Sequence, residues 1–293
     1  MKKTKKSHFI PRFFIKKFCD ANGNLYVYNI EKNEVKLSGP SDKAFRKNWL
    51  YSYYEKNEKG ELINIYDNEI ENILGLLESN VPLVLSKLDS GINLDDNEKD
   101  ILRLFCYIQW SRTPTAITNS NKGLSNIIKK LTSMILTTVP ENELKGQLES
   151  EISKNEIMDI MNSENLIIDI DKPSVPSLQH AIELFKLTGN IKLKYDVIKT
   201  DQVLLFGENP VIIKLPMISG VEIIMPISTY QLLYIHSFNV QNKIEKIIDA
   251  LNKVQLNQTD KYVFFQMKPE NFDLLLTLDS HLNFSFQEMK IKN

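Results

Sequence analysis

His8 is the first residue in this sequence whose type suggests chemistry. An imidazole titrates near neutral pH and serves as an acid, a base or a metal ligand. Pro11 restricts the backbone that follows, and nearby phenylalanines such as Phe9 and Phe13 can anchor the segment in a core and hold the ring in one orientation. A histidine that only bonds a backbone carbonyl is the competing interpretation, and residue type alone leaves both open.

Gln109 and Arg112 form a second candidate cluster. Their spacing of three places both side chains on one face of the predicted helix that contains Trp110. A guanidinium suits a phosphate or a carboxylate, and a glutamine amide suits a base edge, an amide or a hydroxyl. Because Arg112 lies in an otherwise apolar segment, an internal polar cluster is favoured, and its role as catalytic or structural stays open.

Glu208 and Asn209 form a third candidate, in a segment from 207 to 210 that is predicted to turn between two strands. A carboxylate at such a turn can orient His8, act as a general base or bind a divalent ion. A solvated surface acid is the alternative, because turns usually face water.

Positive charge is concentrated in the N-terminal segment, although the whole chain has a net charge of −1 at pH 7. Such clusters attract phosphates, and this one begins with Lys2, Lys3, Lys5 and Lys6. No metal site is predicted, since the two cysteines lack partners at metal-ligand spacing, and the cofactor stays unknown. The predicted catalytic residues are His8, Gln109, Arg112 and Glu208, and the predicted substrate-binding residues are Arg12, Lys16, Lys17 and Asn209.

The elements that position these residues are predicted from hydrophobic periodicity and turn residues, which favour an α+β fold with a single domain over residues 1–293. Residues 1–67 hold the N-terminal motif and a small hairpin, from the β-prone runs 25–28 and 34–37. Residues 68–190 form a helical block, and residues 191–293 form a mainly antiparallel sheet with one inserted helix. The spacing of the strands argues against regular βαβ alternation.

Within the helical block, an N-cap is predicted at Asp95 or Asp96 with Glu98 in the first turn, and Pro114 is placed near the C-terminal end of that helix. Further helices are predicted at 124–137, 141–162 and 177–187. The strands of the last region are predicted at 191–198, 203–206, 211–215, 221–227, 231–238 and 262–267, with the inserted helix at about 240–256.

Composition limits the class of protein. A hydrophobic content of 42% suffices for a core, and no apolar stretch approaches the roughly 20 residues that span a bilayer. The basic N-terminus leads into Pro11 and Arg12 rather than an apolar signal core, so we expect a cytoplasmic protein without membrane association. The sequence lacks the Walker loop, the dinucleotide fingerprint and the common hydrolase motifs. The other histidines, including His180 and His236, have no companions at metal-ligand spacing.

The order of the motifs resembles that of a bacterial family, domain of unknown function 4238. The matching segments are His8-x-x-Pro11-x-x-x-Ile15-x-x-Phe18, the Gln109-x-x-Arg112 helix, the Glu208-Asn209-Pro210 turn and Met225-Pro-Ile-Ser228 with the strand and helix that follow it. The sequence departs from the family at Gly207-Glu208, where members typically carry Ser-Asp. That departure weakens the catalytic assignment of Glu208.

The resemblance implies a place in bacterial anti-phage defence, because some members of the family occur among such genes. Together with the basic cluster, it leads us to expect a defence effector that acts on a phosphate-containing substrate, with nucleic acid favoured and a nuclease-like reaction. Two alternatives stay open: a non-catalytic sensor or binding module for a phage component or partner protein, and a hydrolase of small nucleotides. The expected partner is therefore nucleic acid or a nucleotide, and the oligomeric state is not predicted.

Overall fold

The structure is a computed structural model, and it describes residues 6–48, 50–66, 68–138, 153–163, 172–214, 220–237, 244–257, 259, 261–266 and 290–292. Its helices are α1 (Arg12–Lys16), α2 (Asn68–Asp89), α3 (Asp96–Ser111), α4 (Pro114–Thr138), α5 (Lys154–Asn162), α6 (Val175–Leu187) and α7 (Ile244–Asn257). Its strands are β1 (Lys6–His8), β2 (Leu25–Asn29), β3 (Glu34–Ser38), β4 (Arg46–Asn48), β5 (Ser52–Lys56), β6 (Leu62–Tyr66), β7 (Lys194–Lys199), β8 (Ile212–Lys214), β9 (Glu222–Ser228), β10 (Gln231–His236), β11 (Tyr262–Phe265) and β12 (Lys290–Lys292). The predicted α+β fold is confirmed.

The N-terminal segment is built around the short antiparallel pair β1 and β4, in which His8 lies opposite Arg46. The chain then turns into α1, and the amide of Phe9 donates to the carbonyl of Phe45 at 3.1 Å. The predicted small hairpin is present as β2 and β3, which pair antiparallel in a four-stranded sheet with the order β11-β2-β3-β12. A second hairpin, β5 and β6, was not predicted.

The helical block contains α2 to α6. The predicted N-cap is confirmed at Asp95: its carboxylate accepts from the amide of Glu98 at 2.8 Å, and the Glu98 carboxylate accepts from the amide of Asp95 at 3.1 Å. Pro114 does follow α3, but it also begins α4, which starts ten residues before the predicted helix at 124–137. Proline is tolerated there because the first turn of a helix needs no amide donor. Of the predicted helix at 141–162, residues 154–162 are helical, while 139–152 lie outside the described residues.

The second four-stranded sheet has the antiparallel order β7-β10-β9-β8. The apolar run 203–206 is not a strand of this sheet, contrary to the prediction. The amides of Leu205 and Gly207 bond instead to the side chains of Asn252 and Gln255 in α7, at 3.0 Å each. A single bridge, from Phe206 to Phe264, links the run to β11.

One hydrophobic core cluster joins the N-terminal motif to the two four-stranded sheets and to the helical block. At its centre, the ring of Phe206 lies 5.1 Å from that of Phe14, 4.5 Å from that of Phe18 and 4.9 Å from that of Phe264, measured between centroids. The expected anchoring of the segment around His8 by phenylalanines is thereby confirmed, since Phe9, Phe14 and Phe18 are all buried. Among the described residues, no helix has the length and apolar character needed to cross a membrane.

Candidate functional site

His8 ends β1 and is half-buried at the point where the chain leaves the strand. Its ring is hydrogen-bonded to the backbone of Pro40. Because proline has no amide hydrogen, the ring must donate to the Pro40 carbonyl. The Nε2 atom of His8 is shielded from solvent and has no hydrogen-bond partner within the described ranges.

The electrostatic environment keeps this imidazole neutral. Burial, which is the largest cause, and the positive charges of Arg46, Arg12 and Arg112 together lower the pKa of His8 from 6.5 to about 4, while the bond to Pro40 acts in the opposite direction. At pH 7 the ring is therefore uncharged. It therefore has the protonation state of a general base rather than of an acid.

Two arginines are held beside His8 by the loop that contains Pro40. One amino group of Arg12 donates to the hydroxyl of Ser41 at 2.5 Å, and Arg46 donates to the backbone carbonyls of Ser41 and Asp42. Arg12 is exposed and Arg46 is half-buried. We call His8, Arg12 and Arg46 the His8 basic cluster.

The other predicted basic residues lie at the edge of this region. Lys16 and Lys17 are exposed at the C-terminal end of α1, the helix that Arg12 begins. Lys6 is exposed in β1, two residues before His8. The predicted Lys2, Lys3 and Lys5 lie outside the described residues. The described basic side chains therefore extend from the His8 basic cluster onto the open surface.

Gln109 and Arg112 hold the backbone next to His8. The Gln109 amide donates to the carbonyl of Phe9 at 2.9 Å, and Nε of Arg112 donates to the same carbonyl at 3.0 Å and to Oε1 of Gln109 at 2.9 Å. Arg112 also forms an ion pair with Glu78 at 2.5 Å. Both side chains are fully buried, so the internal polar cluster expected from the sequence is present. Its contacts make these two residues positioning groups for the segment that carries His8.

Arg112 keeps one group without a partner. Its Nη2 atom is buried and has no hydrogen-bond partner in the part of the chain that the structure describes. A buried guanidinium amino group of this kind is costly unless water or an anion binds it. Together with Nε2 of His8, it gives the region two buried polar atoms that have no hydrogen-bond partner among the described residues.

Glu208 and Asn209 occupy a different position, in the turn that follows the run 203–206. Oε2 of Glu208 accepts from the amide of Lys261 at 2.9 Å. The Asn209 amide donates to the carbonyl of Trp110 at 3.3 Å, and its oxygen accepts from the amide of Val211 at 3.2 Å. Asn209 thus fixes the turn against the end of α3.

A cavity of about 770 Å³ lies between α4, α6 and this turn. Glu208 and Asn209 line it, together with Trp110 and His180, whereas His8, Gln109 and Arg112 are not among its lining residues. The structure therefore divides the predicted site residues between two places. One is the His8 basic cluster with its supporting pair, and the other is this cavity, which we call the α4–α6 cavity.

Three residues of these two regions were missed by sequence reasoning. Arg46 was missed because β4 has no strand pattern of its own and becomes a strand only by pairing with β1. Glu78 is one acid among several on α2, and nothing in its spacing pairs it with Arg112. Nothing in the spacing of His180 marks it as a site residue, because the cavity that it lines is formed by residues far apart in the sequence.

No group of three or more His, Cys, Asp or Glu side chains in the described ranges is arranged to bind a metal ion. Comparison with curated proteins and comparison with solved structures each find no match. The family model for a protein of unknown function (DUF4238) matches residues 6–269, which include β1, Gln109, Arg112 and the Glu208 turn. The match covers most of the chain, and the protein therefore belongs to the DUF4238 family.

Proposed function

We propose that this protein binds the phosphodiester backbone of a nucleic acid at the His8 basic cluster and cleaves it with His8 as the general base. The observation that carries the proposal is the buried, unpartnered Nε2 of a neutral His8 within the field of three arginines. A general base needs an unprotonated acceptor within reach of the nucleophile, and a phosphate needs positive charge beside it.

The charges around His8 support a coupling between substrate and base. The arginines that disfavour protonation of His8 are the groups that attract a phosphate. A phosphate bound between Arg12 and Arg46 offsets their positive charge and raises the pKa of His8 from about 4 towards its ordinary value of 6.5. His8 then becomes a stronger base when the substrate is in place.

The proposed reaction is an in-line displacement at phosphorus. Arg12 and Arg46 hold the non-bridging oxygens. Because Nε2 of His8 is shielded in the free protein, substrate binding has to uncover it, and it then takes the proton of an attacking water or ribose hydroxyl. The bond from the attacking oxygen to phosphorus forms, the bond to the leaving oxygen breaks, and the leaving oxygen takes a proton from solvent. Gln109 and Arg112 act through the Phe9 carbonyl, by holding the backbone that follows His8.

The location of the positive charge favours a polynucleotide over a small nucleotide as the substrate. Arg12, Lys16 and Lys17 are all exposed along α1, so they present a charged surface rather than an enclosed pocket. Extended basic surfaces follow the backbone of a strand, whereas small nucleotides are bound in concave sites. The experiment described next also distinguishes the two alternatives, a sensor or binding module and a hydrolase of small nucleotides.

The test is incubation of the purified protein with labelled single-stranded RNA, single-stranded DNA and duplex DNA, with divalent metal ions and with chelator. We expect cleavage of at least one substrate, a loss of about 100-fold or more in rate for His8→Ala, and an unchanged melting temperature for that variant. Arg12→Ala and Arg46→Ala should weaken binding and each lower the slope of log affinity against log salt by about one. Lys253→Ala, which removes an exposed lysine of α7, is the matched control.

Three results would contradict the proposal. Binding without any product would favour the sensor or binding module, and hydrolysis of nucleotides alone would favour the small-nucleotide enzyme. Cleavage that survives His8→Ala would remove His8 from the chemistry. A role in anti-phage defence, which follows from the family resemblance, has a separate test: plaque counts on bacteria that express the wild-type chain should fall, and should recover with His8→Ala.

A further inference from the structure

The α4–α6 cavity is a second concave site, and it differs chemically from the His8 basic cluster. Its volume of about 770 Å³ lies within the range of roughly 300–1,000 Å³ that is usual for small-molecule sites. One wall is a face of α4, another is the start of α6, and the end of α3 with the Glu208 turn closes it. The turn is held rigidly, because Gln255 of α7 bonds to both Gly207 and Pro210.

The charge of the lining selects against phosphates. The described residues that line the cavity include no lysine and no arginine, and Glu208 is their single carboxylate. An anion in the cavity would face this carboxylate, and no lysine or arginine of the lining would pair with it. The ligand that fits is therefore uncharged where it enters the cavity.

The remaining lining suits a flat ring with polar edges. Trp110 contributes an indole, and the ring of His180 meets it edge-on with centroids 5.8 Å apart. Leu124 and Ile127 supply apolar surface, while neutral hydrogen-bonding groups come from Asn119 and Ser120 on the same helix. Aromatic walls with a few neutral polar groups are typical of sites for heterocyclic rings.

We propose that the α4–α6 cavity binds an uncharged aromatic heterocycle of the nucleoside class, in contact with Trp110. This site is independent of the proposed cleavage at His8, because it uses none of the residues of the His8 basic cluster. The polar edge of a purine or pyrimidine offers donors and acceptors to the amide and hydroxyl groups, and its faces match the apolar walls.

Gly123 supplies a clean way to close the cavity. It lines the cavity in α4, and a Cβ atom placed on it meets nothing within 4 Å. The Cβ of a replacement side chain therefore enters open space, Gly123→Phe adds a bulky ring to the lining of the cavity, and the loss of a glycine favours the helix. Gly75 in α2 also meets nothing within 4 Å and does not line the cavity, so Gly75→Phe is the matched control.

The experiment is isothermal titration of the full chain with adenosine, guanosine, cytidine and uridine, and with their 5′-monophosphates. We expect at least one nucleoside to bind, its monophosphate to bind more weakly, and Gly123→Phe to weaken nucleoside binding by about tenfold or more, with Gly75→Phe equal to wild type. Gly123→Leu replaces the phenylalanine variant if the latter lowers the melting temperature.

Several results would overturn the inference: no binding of any nucleoside at millimolar concentration, equal binding by the cavity-filled variant, or tighter binding of a monophosphate that Gly123→Phe removes. The titration measures binding and not turnover. Failure to cleave nucleic acid therefore leaves this result unaffected, and failure to bind nucleosides leaves the proposed cleavage unaffected.

Discussion

Replacement of Arg112 by alanine removes a side chain that is only 1% exposed and that makes three polar contacts. Two are hydrogen bonds from Nε, to the carbonyl of Phe9 at 3.0 Å and to Oε1 of Gln109 at 2.9 Å. The third is the ion pair with Glu78 at 2.5 Å. We expect a large loss of stability, and the three contacts contribute to it unequally.

The hydrogen bonds account for most of the expected loss. A net hydrogen bond from a charged group contributes about 1.5–3 kcal/mol, and a buried acceptor left without a donor costs about 1–3 kcal/mol. Oε1 of Gln109 becomes such an acceptor, because Gln109 is fully buried, whereas the Phe9 carbonyl still accepts from the Gln109 amide. Glu78 is 26% exposed and can regain water, so its share is small. The lost bond to the Phe9 carbonyl and the orphaned Oε1 together give about 2.5–6 kcal/mol, a range that includes the roughly 3–5 kcal/mol usual when one partner of a buried pair is removed.

Urea unfolding at pH 7, followed by circular dichroism, measures this loss as a lower midpoint with an unchanged slope. The matched control is Arg12→Ala, which removes the same charge from an exposed position whose hydrogen bond is to the Ser41 hydroxyl. The control should lose less than about 0.5 kcal/mol. If the free energies of unfolding of the two variants differ by less than about 1 kcal/mol, the buried contacts do not hold the N-terminal segment as described.

Three further predictions follow from single residues. The pKa of His8, measured by NMR titration, should lie near 4 and should rise when an oligonucleotide is added. Because this folded-state pKa lies below the ordinary value of 6.5, the free energy of unfolding should fall as the pH drops from about 6.5 to about 4. The His8→Gln variant should lose that part of the pH dependence. Gly207→Ala should lower the free energy of unfolding by about 1–3 kcal/mol, since its Cβ would lie 1.7 Å from the Thr259 hydroxyl. The control Gly75→Ala should raise the free energy of unfolding by about 0.5–1 kcal/mol. Urea unfolding measures both changes, and equal effects would contradict the placement of the turn. Burial raises the pKa of the Cys106 thiol to about 12, so labelling by a thiol reagent should follow the rate of unfolding, and rapid labelling of the native protein would contradict its burial.

Sequence patterns predicted those parts of the structure that depend on neighbours along the chain. The capping box of Asp95 and Glu98 joins residues three apart, and the β2–β3 hairpin joins adjacent runs. Burial of Gln109 and Arg112 was also foreseen, because a polar pair in an apolar helix segment has to be paired internally. In each case the relevant interaction is short-ranged or follows from hydrophobicity alone.

Patterns failed where a local preference competes with a distant partner. The apolar run 203–206 has strand propensity, but α7 supplies side-chain acceptors to the amides of Leu205 and Gly207. Propensity is weaker than the requirement that buried amides be bonded, so the run passes beside α7 instead of joining the sheet. The early start of α4 at Pro114 was missed for a simpler reason, since proline marks both helix ends and first turns.

By itself, the sequence determined the α+β class, the anchoring of the His8 segment by phenylalanines and the presence of a buried polar pair near residue 110. The tertiary structure alone decided what that pair binds: the Phe9 carbonyl lies 100 residues from Gln109 and 103 from Arg112 along the chain. It also brought Arg46 beside His8 and placed Glu208 at a separate cavity. The physical reason is that such partners are selected by the packing of the whole core, which no local spacing encodes.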